Sequence, residues 1–114
     1  MRIFLICSVR GADAELLRAQ ADYVTFLECA GNVVHYPPRD TDQTAGAAEI
    51  TCQNYWAMKN SDEVHVFYSP DSQGTHFDMG MAFAMAKKVV VARNVPYGPG
   101  KSYARLLDEW KTWR

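Results

Sequence analysis

Three short segments of this 114-residue chain hold the side chains best able to do chemistry: SVRGAD (8–13), YPPRDTDQT (36–44) and SPDSQGTHFD (69–78). The last ends on Asp78. A carboxylate there can attack an electrophile held in the preceding glycine-bearing loop. It can also do something plainer. Thr75 and Asp78 have the spacing of a capping box, in which the carboxylate only satisfies backbone donors at a helix start. Spacing leaves both roles open.

The first segment reads as an anion cradle. Ser8 offers a hydroxyl, Arg10 a cationic fork and Gly11 an unobstructed backbone. A helix start just beyond adds backbone N–H groups and a favourable field. Ser72 and Gly74 repeat the arrangement in the third segment. Two such loops facing one crevice suit a phosphorylated small molecule. The bland alternative for each is an ordinary turn between a strand and a helix. Asp62 precedes the apolar run EVHVFY, where it either solvates a helix end or serves as a second carboxylate. His76 lies close enough to Asp78 in sequence to touch a shared ligand.

Other chemistries find less support. His35, His65 and His76 lack metal-ligand spacing, and the three cysteines form no CxxC, so neither a zinc site nor a disulfide framework is expected. Cys7 has no evident partnering base. GPGKS (98–102) invites a P-loop reading, but that motif needs glycine where Val95 stands. Net charge is −1 and no basic run exceeds Lys87-Lys88, which argues against a nucleic-acid polymer as partner. The apolar run IFLIC is too short for a signal-peptide core, and no stretch approaches a membrane span. A cytoplasmic protein is the expectation.

These residues need elements to position them. RIFLIC (2–7) is a short apolar run that suits a strand buried on both faces. NVVHY, EVHVFY and KVVVA read as further strands, the first of them stopped by Pro37-Pro38. Helices are predicted over 14–30, 47–60, 75–87 and 102–113. Asp13 would N-cap the first, with Leu17, Ala21, Val24 and Leu27 along its inner face. Phe77, Met81, Ala84 and Met85 mark the third helix. Trp110 and Trp113 on the last suit core or dimer contacts. The βαβαβαβα order predicts one α/β domain over 1–114, a three-layer sandwich around a parallel sheet of four or five strands with flavodoxin-like, Rossmann-like winding. Ligands in such folds bind beyond the carboxyl ends of the strands, where strand order reverses. The three segments should meet there.

Three blocks of the chain, IFLICSVRGAD, NYWAMKNSDEVHVFY and SPDSQGTHFDMGMAFAMAKKVVV, resemble the nucleoside 2-deoxyribosyltransferases. They look closest to the hydrolytic branch, the 2′-deoxynucleoside 5′-monophosphate N-glycosidases. The resemblance implies that Asp78 falls on the family's nucleophilic glutamate and Asp62 on the aspartate that serves the leaving base. It implies that Ser8, Arg10, Gly11, Ser72 and Gly74 bind the 5′-phosphate. Phe4 falls where the family usually carries a tyrosine that touches the nucleophile, and Cys7 replaces a glycine. The implied activity is cleavage of the base–sugar bond through a covalent glycosyl-enzyme, with no metal or organic cofactor, in a homodimer. Base exchange by a deoxyribosyltransferase and a non-catalytic nucleotide-binding or sensing domain are the alternatives.

Overall fold

A computed structural model describes residues 1–113, without the side chains of Lys111 and Trp113. The expectation for Trp113 therefore lies outside the described residues. Four strands form one parallel sheet: β1 (Arg2–Ile6), β2 (Val33–His35), β3 (Glu63–Phe67) and β4 (Lys88–Arg93), in the order β2-β1-β3-β4. The helices are α1 (Ala14–Cys29), α2 (Pro37–Asp40), α3 (Ala47–Lys59), α4 (Gln73–Ala84) and α5 (Tyr103–Trp113). The expected α/β architecture and winding are present, with four strands.

The sheet alternates as its pleat requires. From β1, Phe4 and Ile6 point to one face, where Met58 of α3, Met79 and Ala82 of α4, and Leu107 and Trp110 of α5 cover them. Ile3, Leu5 and Cys7 point to the other, under Val24 and Leu27 of α1. Trp110 is thus a core residue, set edge-on against Phe83 with ring centroids 5.2 Å apart. β1 and β3 are buried along almost their whole length, which is why they read as continuous apolar runs.

Two helices depart from their expected faces or ends. On α1, Asp13 does cap, accepting from Leu16 N at 2.8 Å, but Ala21 faces out and Gln20 is fully buried. A buried glutamine is tolerable only if both ends of its amide are paired. Here Nε2 donates to the Ser8 carbonyl at 3.0 Å, and Oε1 accepts from the Tyr36 hydroxyl at 3.1 Å. Gln20 therefore ties the loop after β1 to the end of β2. On α4, the helix starts at Gln73 rather than Thr75, so Thr75, Met79 and Ala82 turn inward and Phe77 turns out. Pro37-Pro38 ends β2 as expected and also opens α2, proline being compatible with a first helical turn. Arg39 of α2 then grips Glu28 of α1 through two N–H···O bonds of 3.2 and 3.1 Å. Among the described residues no helix is long and apolar enough to cross a membrane.

Because Leu107 is wholly buried against the sheet, Leu107→Ala should lower unfolding free energy by about 2–5 kcal/mol, read from urea melts. A change below about 0.5 kcal/mol would mean that α5 is not part of the cooperative core.

Candidate active site

The chain leaves β1 toward α1 on one face of the sheet and leaves β3 toward α4 on the other. Their carboxyl ends are neighbours, so the two departing loops separate and open a crevice between them. A cleft of about 450 Å³ lies there, lined by Cys7, Arg10, Ser72, Gly74 and Asp78, with α3 as the far wall. A second hollow of about 510 Å³ lies against it and is lined by Ser8, Gly11, Tyr68 and Arg93; Arg10, Asp71 and Ser72 border both.

Asp78 is not a helix cap. The N-cap of α4 is Ser72, whose Oγ accepts from Thr75 N at 3.1 Å and from the Thr75 hydroxyl at 2.9 Å. The Thr75–Asp78 capping box is therefore not formed: the helix starts one turn earlier, at the Ser72 cap. That places Asp78 in the second turn, where backbone donors are already taken. Its side chain looks into the cleft instead. Burial alone pushes its carboxyl up to about 7. No neighbouring charge or hydrogen bond holds it ionised among the described residues. Such a shift in a cleft is a mark of a chemically used carboxylate.

Cys7 forms the floor beside it. Burial, reinforced by the charge of Asp78, pushes the thiol well above its usual range. It stays protonated and is no nucleophile.

The cationic end is as open as Asp78. Arg10 is exposed and joins none of the salt bridges among the described residues. Gly11 has φ +76, a left-handed conformation that glycine adopts without strain. Across the crevice, the N–H groups of Gln73 and Gly74 belong to the first turn of α4 and have no intrahelical acceptor. Asp71 borders the same space and partly offsets the positive field.

Three expected site residues line neither hollow. Asp62 sits at the amino end of the sheet, where its Oδ2 accepts from Arg2 N at 2.7 Å and its own N–H donates to the Arg2 carbonyl at 2.8 Å. The whole length of β3 separates it from the cleft, so the second-carboxylate role is not supported; it pins the first residue of β1. His76 is two residues from Asp78, about 200° around the helix, and points to the opposite side. There it is hydrogen-bonded to the Tyr68 hydroxyl at 2.8 Å and packs on the Tyr103 ring at 4.7 Å. Phe4 is fully buried in the core and stacked on His35, centroids 5.3 Å apart, so it stands behind the cleft.

The cleft also contains residues that the sequence did not flag. Ile50, Thr51 and Asn54 of α3 and Phe77 of α4 also line it. Ile50 and Asn54 are four apart, Thr51 and Asn54 three apart, so they share one helix face. Among the described residues no group of three or more His, Cys, Asp or Glu is placed to hold a metal ion.

No family model matches the sequence, and no curated protein does. Solved structures do. The chain is similar to the CMP N-glycosidase BcmB of Clostridium botulinum, at 27% identity and a TM-score of 0.63, over 96% of this chain and 81% of that one. It is similar in fold to a 2-deoxyribosyltransferase from Bacillus psychrosaccharolyticus, at 15% identity and a TM-score of 0.69, over 84% and 77% of the two chains. The fold is deoxyribosyltransferase-like. Both structural neighbours are enzymes, and they agree with the resemblance carried by the three sequence blocks.

The raised carboxyl of Asp78 has a consequence for stability. The folded pKa, about 7, lies above the unfolded value, about 4. The folded state therefore holds the proton more tightly, and stability contributed by this group falls as pH rises from about 4 to 7. Asp78→Asn should be more stable than the parent above pH 7, by up to about 4 kcal/mol, with the difference closing below pH 4. Melts across that range check it; a pH-independent difference would refute the burial argument. Asp62→Ala should instead cost about 1 kcal/mol at neutral pH, through the lost bond to Arg2 N.

Proposed function

We propose that the protein is an N-glycosidase of nucleoside 5′-monophosphates, with Asp78 as nucleophile. The observation that carries this reading is a half-buried carboxylate, unpartnered among the described residues, in a cleft that also holds an arginine outside every salt bridge of those residues and the open first turn of a helix. A sugar phosphate bridges such a pair of features. Its dianion would lie against Arg10, the amides of Gln73 and Gly74 and the hydroxyl of Ser72, which places the anomeric carbon toward Asp78. Ser8 and Gly11 would shape the same loop from the side of the second hollow.

The chemistry has two displacements. An Asp78 oxygen bonds to C1′ as the C1′–N bond breaks, and the electron pair leaves with the base. Positive charge that develops on the sugar favours the carboxylate anion next to it. Water then attacks C1′, freeing Asp78 and giving the sugar phosphate, while its proton passes to the departed base. Retention of configuration follows from two inversions, as in glycoside hydrolysis through a covalent intermediate. The raised pKa makes Asp78 a stronger nucleophile once ionised, and limits how much of it is ionised at neutral pH. No organic cofactor enters these steps.

The similar glycosidase acts on CMP, as its name states, so CMP joins the 2′-deoxynucleotides that the sequence blocks suggest as candidate substrates. Free base released from CMP, dCMP and the other monophosphates, and from the matching nucleosides, is measured by chromatography. Monophosphates should be cleaved and nucleosides much less. Asp78→Ala should lower turnover by about a thousandfold or more, and Arg10→Ala should cost about 10–100-fold in kcat/KM on monophosphates only. For the parent, kcat/KM should rise with pH through about 7 and then level off. Turnover that survives Asp78→Ala removes the nucleophile assignment. Exchange of an added free base would instead mark a transferase. Tight binding without any base release would mark a sensing domain.

A further inference from the structure

Asn54 lines the cleft from α3 and is buried. Its orientation is not free. The Thr41 hydroxyl donates to Asn54 Oδ1 at 2.7 Å. Thr41 Oγ1 is in turn 2.9 Å from His35 Nε2. A hydroxyl has one proton. Since Thr41 gives its own to Asn54, it must accept from His35, which therefore carries hydrogen on Nε2. Phe4 stacks on His35 within 8° of parallel and keeps its ring in plane with this chain. All three supporting groups are well buried or partly buried: Thr41 is only 4% exposed. The carbonyl of Asn54 is thus occupied, and its amide N–H groups are left for whatever enters the cleft.

We infer that Asn54 is the nucleobase-reading residue of this cleft, a hydrogen-bond donor oriented by Thr41 and His35 toward a carbonyl on the base. The inference rests on the nucleotide reading above and deepens it. With the phosphate at Arg10, the base falls against α3, between Ile50, Asn54 and the exposed ring of Phe77. A pyrimidine has a carbonyl beside the nitrogen that is bonded to the sugar. When the C1′–N bond breaks, the electron pair spreads onto that oxygen. A donor already aimed there binds the departing base more tightly than the intact one, which is what catalysis requires. An amide cannot give up a proton as an acid does, so this site favours bases that can leave as a delocalised anion. Purines have no carbonyl beside that nitrogen and gain nothing from it. The ligand class is therefore a pyrimidine nucleoside 5′-monophosphate. Asn54 touches the base; Thr41 and His35 are positioning residues.

Titration calorimetry on Asp78→Asn protein, which holds nucleotide uncleaved, tests this with two ligands: CMP and ribose 5-phosphate, the same molecule without its base. Adding Asn54→Leu or Thr41→Val should weaken CMP by about tenfold or more and leave ribose 5-phosphate unchanged. Thr41→Ser, which keeps the hydroxyl, should restore CMP affinity. Asn54→Asp, close to isosteric, should weaken CMP as Asn54→Leu does, and covers the event that the leucine variant does not fold. Any of three results overturns the assignment: CMP bound no better than ribose 5-phosphate, CMP affinity unchanged by Asn54→Leu and Asn54→Asp, or equal loss of both ligands. Base release by the parent protein is read separately, so absence of turnover and absence of base recognition are distinguishable.

Discussion

Pairing of β1 with β3 at the centre of the sheet decides where everything else can be. Ile3 faces Glu63 and Ile6 faces Val66, so both strands end together at the same level. The helices that follow them go to opposite faces, because α1 returns to β2 and α4 goes on to β4. The crevice between those two departures is a product of strand order alone. Groups with open valence for a ligand stand on its rim, among them Arg10 after β1, the first turn of α4 after β3, and Asp78 one turn further in. The same pairing puts Asp62 at the closed end, where it bonds to Arg2 and can meet no ligand of this cleft.

Asp78 opposes the stability that this framework supplies. Core residues such as Met79 and Ala82 hold α4 against the sheet, and that packing carries Asp78 partly out of water with nothing among the described residues to pair its charge. A structure selected for stability alone has an easy remedy, since asparagine or leucine in the same turn removes the cost. Keeping an acid there is a cost to the folded protein, and a cost of this kind marks a candidate functional group. Cys7 fits the same reading. It fills the floor of the cleft with a small, protonated, weakly polar group that excludes water without answering the charge.

How far the sequence carried depended on whether a feature was local. The sheet, its winding and the convergence of the three loops followed from alternating apolar runs and helical periods. Asp13 as a cap followed from its own neighbourhood. Between Ser72 and Thr75, local signals could not decide, because both are hydroxyl residues with plausible partners three positions on. Tertiary packing chose Ser72, since Thr75, Met79 and Ala82 are then the buried set. That single choice turned Asp78 from cap to cleft residue, and turned His76 and Phe77 away from the roles their neighbours suggested. Gln20 and Asn54 were illegible for another reason. Each is a polar residue in a helix, ordinarily a surface position, and only partners 12 to 16 residues away make burial possible. No periodicity in the chain announces such partners.

Those buried amides give the cleft its rigidity at two ends. Gln20 fastens the Ser8 carbonyl and so the loop that bears Arg10. Thr41 fastens Asn54 and is itself fastened by His35, which Phe4 holds from the core. In each case a side chain that looks like part of the framework sets the direction of one that faces the ligand. Phe4 is the clearest instance. The resemblance put it at the substrate, and the structure puts it three contacts behind Asn54. A ring in that place has no polar group of its own to offer. What it does offer is a flat, immobile surface that keeps an imidazole in plane, and through it a hydroxyl and an amide. The reach of the site therefore extends into the sheet. A change at β1 can alter what α3 presents to a ligand, although neither the strand nor its phenylalanine meets that ligand.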